Sequence, residues 1–243
     1  MHLIIAGAGS GIGLALVESC LAEKHWTQIS ALYRRSGTAL MALAEQDPRL
    51  VCYQLDLADD QQVAAWAQQS RHPVDWLINT SGILHDQAQD LQPEKSLQQL
   101  KRQSLMTSLT HNALNHLLLL QQLQPYFNKQ RPVVIASLSA RVGSIGDNRL
   151  GGWYAYRASK AALNQLMHTA AIELRRTHPG SLCVTLHPGT TDTPLSAPFQ
   201  ARVPAAQLFD ARQSAAYLLQ VLRGLTPEQT GGFFAWDGQP IPW

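Results

Sequence analysis

Met1-His2-Leu3-Ile4-Ile5-Ala6-Gly7-Ala8-Gly9-Ser10-Gly11-Ile12-Gly13 is the stretch that decides the fold. A short apolar run ends in a glycine-rich turn, and the turn opens directly onto a helical pattern over Ile12–Lys24. The run carries no Lys or Arg and glycines interrupt it early, so it reads as a first strand and not as a secretion signal. The useful spacing is Gly7, Gly11 and Gly13. Glycine allows the tight turn, lets main chain approach a pyrophosphate, and lets helix pack closely on strand. The helix N-terminus then offers free N–H groups and the positive end of its dipole to phosphate. With Ser10 and Ile12 in the same turn, the segment predicts a dinucleotide site.

Outward from this turn, strand-like and helix-like segments alternate to the end of the chain. Further strands are expected at Gln28–Tyr33, Leu50–Leu55, Val74–Asn79, Val133–Leu138, Leu182–Leu186 and Phe233–Trp236. Helices are expected at Thr38–Glu45, Asp59–Gln69 with Asp59 or Asp60 as cap, Tyr154–Arg176 and Asp210–Arg223. A long one over Lys101–Leu123 should stop at Pro125, which cannot continue it. Such repeated units predict an α/β fold. It is a single doubly wound Rossmann-type domain over residues 1–243, with a parallel sheet of about seven strands and helices on both faces.

Composition agrees with a globular enzyme or binding protein. Hydrophobic residues are 45% and charged residues 15%, and the net charge is 19 − 17 = +2, which does not suggest a nucleic-acid partner. No apolar run approaches the ~20 residues that span a bilayer, so no membrane partner is expected. Cys20, Cys52 and Cys183 are odd in number and far apart, which argues against a disulfide framework and for a reducing, cytoplasmic setting. Nine histidines include no His-x-x-x-His pair and no Cys-x-x-Cys occurs, so no metal site is predicted. His111 and His116, five apart, are expected on different helix faces as surface or capping residues.

The end of the second strand bears on the cofactor. It reads Leu32-Tyr33-Arg34-Arg35, with no Asp or Glu to hold a ribose 2′-hydroxyl. Arginine pairs with a 2′-phosphate, so Tyr33 and Arg34 point to NADP(H) as preferred, with NAD(H) left open. Later in the chain Tyr156 and Lys160 are four apart and so share a helix face. A nearby ammonium would favour the phenolate and bring the tyrosine pKa down toward working pH, as general acid–base chemistry on a carbonyl or alcohol requires.

Together these motifs resemble the short-chain dehydrogenase/reductase family over essentially the whole chain. Gly7-x-x-x-Gly11-Ile12-Gly13 is similar to its cofactor turn, although Ala6 stands where many members have threonine. Asn79-Thr80-Ser81-Gly82 resembles its Asn-Asn-Ala-Gly element, and Asp56-Leu57 its adenine-side pair. Tyr156 and Lys160 match the catalytic pair. The segment His187–Thr193, with Pro188, Gly189, Thr191 and Thr193, resembles the Pro-Gly-x-x-x-Thr element beside the nicotinamide. Ser144–Asn148, Gly151–Tyr154 and the closing Trp236–Trp243 look like the carbonyl-reductase branch, with its C-factor-like and sniffer-like members.

The resemblance implies hydride transfer to a small-molecule carbonyl, with Tyr156 as proton donor and Lys160 lowering its pKa and binding the nicotinamide ribose. It implies that Asn112 holds a relay water, with Asn115 as a substitute, and a homodimer or homotetramer packed through the helices around Lys101–Leu123 and Tyr154–Arg176. The family's Ser-x-x-Gly is shifted here. Ser137-Leu138-Ser139-Ala140-Arg141-Val142-Gly143 places Ala140 at the ungapped position, so Ser139 is favoured as the catalytic serine, with Ser137 and Ser144 open. Thr193–Phe209, rich in Pro and Phe, is expected to be a mobile substrate cover with an apolar lining, and Trp153 and Tyr154 to line the pocket. Two other readings keep the fold: an NADP-binding sensor or signalling protein with little turnover, and a pterin or quinone reductase.

Overall fold

A computed structural model of the chain describes residues 1–69 and 72–243. In chain order the elements are β1 (His2–Ala6), α1 (Gly11–Leu21), β2 (Gln28–Tyr33), α2 (Thr38–Gln46), β3 (Leu50–Gln54), α3 (Asp60–Gln68) and β4 (Trp76–Asn79). They continue with α4 (Arg102–Leu109), α5 (Asn115–Leu123), β5 (Val134–Leu138), α6 (Tyr154–Thr177) and β6 (Leu182–His187). A two-residue pair, β7 (Thr190–Thr191) and β8 (Leu208–Phe209), precedes α7 (Ala211–Gly224) and β9 (Phe233–Ala235).

Seven strands form one parallel sheet in the order β3-β2-β1-β4-β5-β6-β9. The five residues of β1 are all buried, and their alternation divides the core. Leu3 and Ile5 pack with Leu16, Val17, Leu40 and Leu218 under α1, α2 and α7. Ile4 and Ala6 pack with Val63, Leu120, Leu163 and Met167 under α3, α5 and α6. A strand buried on both faces reads as a continuous apolar run, which is why His2–Ala6 carries no polar alternation. The strand order reverses between β1 and β4, and this opens a crevice beyond their carboxyl ends. No helix among the described residues is long and apolar enough to cross a membrane.

The helix expected to run unbroken over Lys101–Leu123 does not. It is α4 and α5 joined by a π-turn at Thr110–Leu114. The cause is tertiary. Asn112, fully buried in that turn, accepts from the Ile83 N–H (2.7 Å) and donates to the Ile83 carbonyl (2.8 Å) and to Ser159 Oγ (3.0 Å). These bonds hold the widened turn against the loop after β4, and such turns recur at functional sites. The turn also corrects the histidine reading. His116 is buried and donates from Nε2 to the Ser81 carbonyl (3.0 Å), while His111 faces the crevice. At the start of α3, Asp59 is the cap, accepting from the N–H groups of Gln61 and Gln62.

Candidate active site

The crevice is a cavity of about 910 Å³ running along the carboxyl edge of the sheet. Its floor at one end is the glycine turn. Gly7 has φ +78°, and a Cβ there would lie 2.6 Å from Thr80 Oγ1 and 2.8 Å from the Ser81 nitrogen. At Gly13 a Cβ would lie 2.2 Å from the Gly7 carbonyl oxygen, so the helix can enter only on a glycine. Gly9, left out of the spacing read from the sequence, is equally constrained: its Cβ would meet the Ser36 carbonyl oxygen at 2.2 Å. Ser10, Gly11, Ile12 and Gly13 line the cavity, and the Ser10 side chain does not cap α1. The first amides of α1 therefore lack helical acceptors at the point where an anion would sit.

At the end of β2 the two arginines differ. Arg35 is paired with Asp86 (2.9 Å), and that contact holds the Asp86 carboxyl below the usual carboxylate range. Arg34 lines the cavity and has no ion-pair partner among the described residues. Tyr33, Asp56 and Leu57 complete this end, with no carboxylate directly after Tyr33. Asp56 Oδ1 accepts from the Ala58 N–H (3.0 Å). The residues present thus fit a dinucleotide carrying an extra phosphate on its ribose.

The other end holds the groups expected to react. Tyr156 and Lys160 lie one turn apart on α6, both buried and both in the cavity wall. The Tyr156 hydroxyl has no hydrogen-bond partner among the described residues, and Lys160 Nζ donates to the Leu138 carbonyl (2.7 Å). The ammonium sits 5.8 Å from the centre of the tyrosine ring. Burial pushes Lys160 down to about 7 and raises the Tyr156 phenol above its ordinary value. The expected lowering of the tyrosine pKa is thus absent here: desolvation of the phenolate outweighs a cation directed at a carbonyl.

The lysine gives a stability prediction. Its folded pKa lies below its unfolded value near 10.5, so between about pH 7 and 10.5 the unfolded chain binds more protons. This group's penalty is therefore full below pH ~7 and fades as pH rises. The difference in Tm between Lys160→Met and the parent should be most in the variant's favour at pH ~6 and shrink by pH ~9.5. A difference that does not vary with pH would contradict the burial.

Ser139 separates itself from its neighbours. It is buried in the cavity wall, and its hydroxyl has no partner among the described residues. Ser137 lies within β5 and is not in the cavity wall, while Ser144 Oγ accepts from the Asp147 N–H (3.1 Å). Next to Ser139, at the end of β6, His187 also lines the cavity with Nδ1 unpartnered. Burial pushes its imidazole down to about 4, so it is neutral at physiological pH.

Two residues expected in the site stand behind it. Asn79 and Asn112 are buried outside the cavity wall; Asn79 Oδ1 accepts from the Ser81 N–H (3.0 Å) and hydroxyl (2.6 Å). Asn112 has its amide committed to Ile83 and Ser159, as described above. Asn115 does line the cavity, and with its amide in the orientation that satisfies it, donates to Thr110 and Leu57 carbonyls. Ser81, Gly82, Pro188, Gly189, Thr191 and Thr193 are all in the wall.

The Thr193–Phe209 segment folds as two 3₁₀ turns, Ala197–Arg202 and Ala205–Gln207, closed by β7 and β8. Phe199 meets Trp153 (5.1 Å between rings) and His85 (5.7 Å), giving the cavity mouth an aromatic wall. Tyr154 is not in the wall, and Trp153 is. Trp153 stands at φ +53°, after Gly151 and Gly152, which also have positive φ. For a residue with a large side chain this conformation costs roughly 1–2 kcal/mol, so surrounding contacts must hold it.

Comparison with known proteins matches residues 1–203 to the family described as short chain dehydrogenase. The chain belongs to the short-chain dehydrogenase family. It is therefore an oxidoreductase by family. Among curated relatives, C-signal of Myxococcus xanthus is 33% identical over 171 residues, covering 70% of this chain and 93% of that protein. The solved structure of NADPH-bound carbonyl reductase from chicken fatty liver is 26% identical with a TM-score of 0.88, covering 100% of this chain and 94% of that one. The carbonyl reductase Sniffer of Drosophila melanogaster, 24% identical with a TM-score of 0.87, shares the fold over 100% of this chain and 99% of its own.

Glu94 and the burial of His116 were not legible in the sequence. Glu94 lies in Gln92-Pro93-Glu94-Lys95, a stretch with no periodicity, and only the folded chain brings it to the start of α6.

Proposed function

We propose that the protein is an NADPH-dependent carbonyl reductase, its cofactor and substrate held within one domain. The observation that carries this reading is the convergence of three groups in one wall: the partnerless Ser139 hydroxyl, the free Tyr156 hydroxyl and the Lys160 ammonium. Bound along the crevice, the reduced nicotinamide would supply hydride to the carbonyl carbon. Ser139 donates a hydrogen bond to the substrate oxygen, and Tyr156 gives that oxygen its proton as charge develops. Lys160 contributes positive charge beside the phenol once a ligand competes for its bond to Leu138. Trp153 and Phe199, packed edge to face, form an apolar wall suited to aryl or other hydrophobic carbonyls.

The cofactor part of the reading is tested at the two arginines. Arg34→Ala should raise the KM for NADPH by about 10- to 100-fold with little change for NADH, as loss of a charge-assisted bond predicts. Arg35→Ala should act more weakly, because Arg35 is already paired with Asp86. The reading fails if Arg34→Ala leaves the NADPH value unchanged.

The likeness to C-signal supports a second reading, a signalling protein that binds NADP(H) with little turnover. Such a protein would keep its binding and its response in Tyr156→Phe. Pterin or quinone reduction would keep the fold and change the chemistry.

A further inference from the structure

The start of α6 is held by one residue that the chemistry above does not use. Glu94 is 3% exposed and lies outside the cavity wall. Its carbonyl accepts from the Trp153 N–H (2.6 Å), and its carboxylate Oε2 accepts from the Ala155 N–H (3.1 Å). The second carboxylate oxygen, Oε1, is buried with no partner among the described residues. Thus one residue, distant in sequence, grips the amides on both sides of Tyr154 and one residue short of Tyr156.

The geometry fits a clamp in three ways. A carboxylate at a helix N-terminus satisfies an orphan amide and faces the positive end of the dipole. The carbonyl contact holds the strained, left-handed Trp153, which cannot cap the helix with its own side chain. Trp153 in turn packs edge-on against both Tyr156 (6.2 Å) and Phe199 (5.1 Å). The loop that carries Glu94 is itself fixed. Asp86 and Leu91 exchange main-chain bonds (3.0 and 2.9 Å), and the Lys95 N–H donates to Gln99 Oε1 (2.6 Å).

We propose that Glu94 is a positioning residue for the reaction: it fixes the first turn of α6 and the Trp153 ring, and so sets where the Tyr156 hydroxyl stands. The proposal rests on the reading of Tyr156 as proton donor. A hydroxyl displaced by about 1 Å can lose two orders of magnitude in rate without any loss of a catalytic group.

The test compares Glu94→Ala and Glu94→Gln with the full-length parent. Glutamine keeps an acceptor for the Ala155 N–H and replaces the second carboxyl oxygen with an amide nitrogen. Three quantities are read: amide hydrogen exchange over 153–158, the NADPH dissociation constant, and kcat and KM with para-nitrobenzaldehyde and menadione. In Glu94→Ala, exchange over 153–158 should quicken by about tenfold, as loss of a cap predicts. Its kcat should fall by about 10- to 100-fold, while NADPH binding and exchange in α1 stay at the parental level. Glu94→Gln should recover most of the protection and most of the kcat.

Parental exchange and parental kcat in Glu94→Ala would overturn the proposal, as would equal loosening of α1, which marks general destabilisation. If the parent binds NADPH and reduces neither probe, the reductase reading is what fails. Exchange over 153–158 then still decides whether Glu94 holds the helix start.

Discussion

Tyr156→Phe should lose turnover by about 10²- to 10⁴-fold, the range that a positioned proton donor supplies, while binding NADPH as tightly as the parent. The phenol is the wall's only partnerless hydroxyl on α6, and phenylalanine keeps the ring that packs against Trp153. The fold should be undisturbed, because the tyrosine hydroxyl makes no bond that folding needs. Burial raises the Tyr156 pKa in the absence of ligand, so the neutral phenol is the resting form and a proton donor is in place at neutral pH. In the direction of carbonyl reduction that state is the useful one. Steady-state rates with fluorescence titration of NADPH would check this, and parental turnover in the variant would remove Tyr156 from the chemistry.

The second large effect is at the glycine turn. Gly13→Ala should abolish measurable NADPH binding and lower Tm, because the new Cβ would stand 2.2 Å from the Gly7 carbonyl oxygen and 2.7 Å from Thr80 Oγ1. Neither neighbour can yield cheaply. The Gly7 oxygen is main chain at φ +78°, and Thr80 Oγ1 donates to the Ala6 carbonyl (2.8 Å). Relief requires moving the start of α1 off β1, which displaces the amides that would meet the pyrophosphate. Overpacking of this kind destabilises by roughly 1–3 kcal/mol. Gly224→Ala is the control, since a Cβ there meets nothing within 4 Å. Isothermal titration with NADPH and thermal melts of both variants would decide it; parental affinity in Gly13→Ala would mean that the turn does not hold the cofactor.

What the sequence made legible was what depends on local pattern. The apolar runs of a doubly wound sheet, the glycine turn and the four-residue step from Tyr156 to Lys160 are each written in adjacent residues. The expected strands match the observed sheet to within a residue or two at their ends; Val74 is the largest departure, forming only an isolated bridge to Phe127 ahead of β4. What depends on distant contacts was not legible. The π-turn exists because Asn112 finds Ile83 and Ser159, 29 and 47 residues away, and nothing in Thr110–Leu114 marks it. The same turn buries His116, which a regular helix would have placed elsewhere. The different standing of Arg34 and Arg35 rests on Asp86, 51 residues from Arg35. The choice of Ser139 over Ser137 and Ser144 rests on which of them the fold brings to the cavity wall, and on Asp147 already using the Ser144 hydroxyl. At Tyr156, spacing reveals the cation and hides the burial that raises the phenol pKa.

The central claim is hydride transfer from NADPH to a carbonyl carbon, and it is tested most directly by following the hydrogen itself. The protein would be incubated with para-nitrobenzaldehyde and NADPH carrying deuterium at both nicotinamide C4 positions, and the alcohol analysed by mass spectrometry and NMR. The account predicts one deuterium on the carbinol carbon, in product formed by the parent and not by Tyr156→Phe. Tight NADPH binding with no deuterium transferred to this aldehyde, or to ketones offered in its place, would contradict it.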